Sequence, residues 1–108
     1  MEKYEVWIEA EEWEPGELNP ADDNTDVVVM FENGSQWEAT FITYANIATL
    51  AARNRLSGAC LSGSYFWARD MILIEEISRP AIEAVITRML ETGDFYDAFG
   101  CYGEDKVC

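Results

Sequence analysis

The chain has no histidine, only seven lysines and arginines against 21 aspartates and glutamates, and no apolar run long enough to cross a membrane. Without histidine, the Ser–His and Cys–His nucleophile devices are excluded, and so are the commoner zinc sites. Carboxylate pairs remain, such as Asp22 with Asp23 or Glu75 with Glu76. Adjacent acids on a strand point to opposite faces, so the second pair makes a poor dyad. The expectation is therefore no enzyme, no catalytic residue, no metal site and no cofactor. The three cysteines, Cys60, Cys101 and Cys108, fit no zinc spacing and are expected to be free thiols in a reducing cytoplasm. A Cys101–Cys108 bridge would close only a short terminal loop and stabilise little. The opening "MEKYEVWIEAEEW" lacks the charged-then-apolar pattern of an export signal, so a cytoplasmic location is expected.

What is present is negative charge, unevenly placed. The 108 residues fit a single domain, and the net charge is −14. Residues 1–38 hold twelve acids and one base, Lys3, a balance of −11; residues 39–108 hold nine acids and six bases, a balance of −3. The stretch "EAEEWEPGELNPADDNTD", residues 9–26, carries eight acids and no base. Acidic surfaces aid solubility, but uniform adaptation would spread the acids. A field of this sign repels nucleic acid and anionic membranes, and it attracts basic proteins and speeds their encounter.

The periodicities predict an α+β fold in the order β-β-β-α-β-α. An antiparallel sheet of about four to five strands carries two helices packed on one face. In "YEVWIE", Tyr4, Val6 and Ile8 share one face of a strand. Residues 10–25, broken by Pro15-Gly16 and Asn19-Pro20, read as an acidic loop. "DVVVMFENGSQWEATFI" predicts a hairpin about Asn33-Gly34. A two-residue turn there sets Met30 opposite Trp37 and Val28 opposite Ala39, with that face buried along with Phe41. "TYANIATLAARNRLSG" predicts a helix capped by Thr43 and ended by Gly58, with Ile47, Leu50 and Ala51 inward. "YFW" and "MILIE" predict extended runs, the second a central strand covered on both faces. "SRPAIEAVITRMLETG" predicts a helix capped by Ser78, with Ile82, Val85, Ile86, Met89 and Leu90 on one face. "DFYDAFG" adds a turn that lids the core with Phe95 and Phe99. Trp37 and Trp67 are assigned to the core, and residues 101–108 to a flexible tail.

Asp22-x-Asn24-x-Asp26 matches the first half of a calcium loop, but Val27 stands where that loop needs glycine and Asn33 where it needs glutamate. A solvated turn before a strand explains the run without metal. Trp13 stands among Glu11, Glu12 and Glu14. It reads either as an aromatic anchor for a basic partner or as a side chain folded back on the core.

Gly63-x-Tyr65-Phe66-Trp67-Ala68-x-Asp70-Met71-Ile72, followed by the capped helix with its Ile and Val pairs and preceded by the "TYANI" helix start, resembles small bacterial immunity proteins. These belong to polymorphic or contact-dependent toxin systems, and the resemblance covers about residues 36–92. It implies a cytoplasmic inhibitor that binds one cognate toxin, often a nuclease. The acidic stretch lies outside it and supplies the candidate partner-binding residues: Glu9, Glu11, Glu12, Trp13, Glu14, Glu17, Asp22, Asp23 and Asp26. The expected partner is a basic protein toxin, with no nucleic acid and no membrane. An open sheet edge is available for a homodimer. The competing readings are a phage- or plasmid-encoded nucleic-acid mimic that inhibits a host DNA-binding enzyme, and a small calcium-binding module.

Overall fold

Alternation of apolar residues builds the sheet from the first strand onward. A computed structural model describes residues 3–101. Five strands form, β1 (Tyr4–Ile8), β2 (Asn24–Phe31), β3 (Gln36–Thr43), β4 (Met71–Ile74) and β5 (Gly100–Cys101). The helices are α1 (Tyr44–Ser57), the short α2 (Ala59–Gly63), α3 (Arg79–Thr92) and α4 (Phe95–Ala98). A 3-10 turn spans Glu9–Glu12. The sheet runs β1-β2-β3-β4, and β5 also pairs with β3. The α+β class and the five-stranded sheet match the expectation. Most pairings are antiparallel, but β4 runs parallel to β3, because the chain crosses over through α1 and α2 before it returns.

The hairpin holds the first correction. Val29 pairs with Trp37, Val27 with Ala39 and Met30 with Gln36, one residue away from the register that a two-residue turn sets. Three residues form the loop instead. The Phe31 amide donates to the Ser35 carbonyl at 3.0 Å, and the Gly34 amide donates to the Phe31 carbonyl at 3.0 Å. Gly34 takes φ 90°, the left-handed conformation that a three-residue hairpin loop needs. Asn33 Oδ1 accepts from the Ser35 amide at 2.8 Å and fixes the loop. The shift turns Val27, Val29 and Phe31 inward with Ala39 and Phe41, while Val28 and Met30 face the other way.

The core lies between the inward sheet face and α3. Ile82 and Ile86 of α3 are fully buried there, each contributing about 2–3 kcal/mol by removal from water. Ser78 caps α3 by accepting from the Ala81 amide, Pro80 sits in its first turn, and Gly93 ends it in the left-handed conformation. Phe95 and Phe99 stack at 4.3 Å and close the core as expected. Phe95 also meets Phe31 edge-on at 5.6 Å.

The second long helix differs. Thr43 and Gly58 cap α1 as predicted, but its one buried residue is Asn46. Ile47, Leu50 and Ala51 are half-buried, and no α1 residue joins the core cluster. Of the two long helices, only α3 packs into the core. The "MILIE" run is also corrected: β4 is a four-residue edge strand with Ile72 and Ile74 buried and Met71 and Leu73 exposed. Asp70, at φ 49°, breaks the extended chain just before it. The "YFW" run therefore forms no strand, and Trp67 is 67% exposed rather than in the core. Cys101, expected to open a flexible tail, belongs instead to β5; residues 102–108 lie outside the described residues. Cys60 is a free thiol. Cys101, exposed at the sheet edge, is disulfide-bonded, which corrects the expectation of three free thiols.

Candidate protein-binding surface

The acidic segment is more ordered than a loop over residues 10–25. Its start is the 3-10 turn, and its end belongs to β2 from Asn24 onward. The segment is pinned from within. Ala10 is buried, and its amide donates to Thr25 Oγ1 at 2.9 Å. Trp13 and Leu18 are half-buried and pack against the core. The Ile77 amide donates to the Pro20 carbonyl at 2.8 Å. Of the two readings of Trp13, the side chain folded back on the core is the one the fold adopts.

Two clamps hold the acids at either end. At one end, Arg79 meets Glu11 through two hydrogen bonds, Nε to Oε2 at 2.8 Å and Nη2 to Oε1 at 2.6 Å. It also reaches Glu83 at 2.9 Å and the Val6 carbonyl at 3.0 Å. The Arg79 hydrogen bond and charge hold the Glu11 carboxyl below the usual carboxylate range, and Arg79 itself is raised. Both partners are partly exposed, so the pair contributes about 1 kcal/mol or less. At the other end, Asp22 accepts from the Thr49 hydroxyl at 2.7 Å and from Asn46 Nδ2 at 2.9 Å. Those two bonds lower its pKa, Thr49 foremost. Asn24 Nδ2 donates to Asn46 Oδ1 at 2.8 Å. The Asp23 amide donates to Thr43 Oγ1 at 3.2 Å, and the Asp23 carbonyl accepts from the Thr43 amide at 3.0 Å.

The nine predicted site residues therefore divide. Glu11, Trp13, Asp22 and Asp23 are engaged with the fold. Asp26 accepts from the Thr40 hydroxyl at 3.0 Å on the sheet face opposite α3. Glu9 is half-buried in the 3-10 turn. Glu12, Glu14 and Glu17 are exposed. Glu12 accepts from the Trp7 indole N–H, and the Glu14 amide donates to Glu17 Oε1 at 2.8 Å across the Pro15-Gly16 turn. In the half-loop Asp22-x-Asn24-x-Asp26, the three side chains turn to Asn46, Thr49 and Thr40 instead of to a common centre. Among the described residues, no group of three acids or cysteines is arranged to hold a metal.

Sequence reasoning missed Arg79, Asn46 and Thr49 as anchors. A signal existed for Arg79, because a base in the first turn of a helix is disfavoured by the dipole and needs an acidic partner. It also missed that Glu38 and Asp70 lie near Asp26. Glu38 is raised by burial first, then by the charges of Asp26 and Asp70, with Arg69 opposing in part. No family model matches this chain, no curated protein matches it, and no solved structure matches it.

Proposed function

We propose that this chain is an acidic protein-binding inhibitor, an immunity protein that neutralises a cognate basic toxin, a nuclease, by direct binding in the cytoplasm. The supporting observation is the lopsided charge, −11 over residues 1–38 against −3 over the rest. Concentrated repulsion of this kind lowers stability unless something opposite in sign meets it. A nuclease that holds phosphates carries that opposite sign. Long-range attraction steers the encounter, and rapid capture protects the cell that makes the toxin. Glu12, Glu14 and Glu17 are exposed, Glu12 and Glu17 with one local hydrogen bond each, whereas Glu11 and Asp22 each accept two hydrogen bonds from distant parts of the fold.

The test is binding to the protein encoded beside this gene, measured at low and at high salt. The expected result is an association rate that falls at least about tenfold from 50 to 500 mM salt. Reversing Glu12, Glu14 and Glu17 together to lysine removes most of that dependence and weakens protection of cells expressing the toxin. Unchanged association and unchanged protection in the triple variant would overturn the proposal.

A further inference from the structure

We propose that the sheet face turned away from α3 is the docking surface for an arginine-bearing segment of a basic protein, seated in the groove between Trp7 and Gln36. This deepens the function proposed above and rests on it.

The strand registers place the residues in rows. Glu5, Met30 and Gln36 lie abreast, then Trp7, Val28 and Glu38, then Asp26, Thr40 and Met71. All point away from the core, and among the described residues the groove at Trp7 and Met30 is lined by strand residues alone. A groove of about 240 Å³ opens there, lined by Trp7, Val28, Met30 and Gln36. Its floor is apolar. Its border is mainly acidic, with Glu5 at one side, Glu38 and Asp26 at the other, and Glu12 holding the indole N–H of Trp7; Lys3 lies beyond Glu5 beside Glu32, and Arg69 near Glu38. Strands β1, β2 and β3 contribute no lysine or arginine to this face.

Charge and shape together select the occupant. A second copy would bring a like-charged face against this one. A neutral apolar segment would bury carboxylates without a counter-charge, which is costly. An arginine satisfies both requirements: its aliphatic stem lies along Val28 and Met30, and its planar guanidinium stacks on Trp7 and forks to a carboxylate. Trp7 is 37% exposed, and its ring edge is fixed through Glu12, so the ring is already positioned for stacking. A cation beside Glu38 offsets the repulsion from Asp26 and Asp70 that contributes to raising it.

The experiment is a ¹⁵N–¹H titration of the full chain with acetylated tetra-arginine amide, at low and at high salt. The expected result is saturable movement of the Trp7 indole signal and of amides 5–7, 28–30 and 36–38, with tetralysine binding more weakly. Trp7→Ala weakens binding at least fivefold, on the order expected for loss of a cation–π contact. If that variant misfolds, Trp7→Leu keeps the apolar contact, lacks the ring, and shows the same loss. Shifts centred on residues 12–23, shifts spread evenly over all acids, equal affinity for tetralysine, or a dimer that covers Trp7 would each overturn this site. If the neighbouring-gene protein still associates in a salt-dependent way while tetra-arginine maps elsewhere, the function stands and the site falls. If tetra-arginine seats here and that protein does not bind, the site stands and the function falls.

Discussion

Helices α1 and α3 have fourteen residues each, a hydroxyl cap at the start and a left-handed glycine at the end, yet they do opposite things. Helix α3 drives Ile82 and Ile86 into the core and is part of what folds the protein. Helix α1 buries only Asn46, and its far end carries Leu56 at 92% exposure. Capping residues specify where a helix begins and ends. Whether it is buried depends on the width of its apolar stripe. The stripe of α3 holds five large side chains, while Ile47, Leu50 and Ala51 give α1 a narrow one interrupted by polar neighbours. Polar anchoring holds α1 instead, through Asn46 and Thr49 to the acidic segment.

The largest break in the comparison comes from truncating the buried faces. Ile86→Ala is expected to cost about 2–5 kcal/mol, read by chemical denaturation, whereas Leu50→Ala costs under about 1 kcal/mol. Equal losses would mean that α1 shares the core. The caps reverse the order. Thr43 is buried and accepts from both the Asn46 and the Asp23 amides, so Thr43→Ala is expected to cost about 2 kcal/mol, the top of the range for caps. Ser78→Ala removes one such bond and costs about 1 kcal/mol.

A third prediction concerns pH. Asp22 and Glu11 have lowered carboxyl pKa values, so their folded forms bind protons less readily than the unfolded chain. Their contribution is full above the ordinary carboxylate range of about 4, and it is lost as pH falls through the lower folded values. Asp22→Asn should speed hydrogen exchange in α1 and in residues 19–24 at neutral pH while leaving α3 protected. The difference from wild type should shrink on acidification. The smallest effect has the opposite sign. Glu38 is raised, so its ionised form is disfavoured by folding, and stability falls as pH rises above the ordinary range. Glu38→Gln should raise the melting temperature by about 1–3 °C at pH 7 and by nothing near pH 4. A loss of stability instead would show that Glu38 is paired favourably.

Much of the fold was legible because each signal was local. Both long helices, the hairpin, the capping residues and the Phe95–Phe99 lid follow from spacing and turn chemistry. The failures share a cause. The hairpin register depended on whether Asn33-Gly34 formed the whole loop or the last two of three loop residues. Both registers bury an apolar row, because Val27 to Phe31 is apolar on both faces. Trp67 looked like core because its neighbours are apolar, but no strand forms there to turn it inward. Of the candidate site, the acids were legible and their partners were not. Asn46 and Thr49 come from a helix more than twenty residues downstream of Asp22, and no periodicity marks a long-range hydrogen bond. Trp7 was ambiguous until the helices were placed.

One strand residue more or less decides which side of this ribbon is wet. Deleting one residue within β2 would exchange the sides of the part of the strand beyond it, sending apolar side chains such as Val27 from beneath α3 to water, whereas a deletion between Phe31 and Ser35 leaves that pair joined by a two-residue loop and both faces as they are. Related chains can shorten the hairpin tip by a codon and keep this arrangement, whereas a one-codon indel inside a strand would scramble the interior and the recognition face in the same stroke.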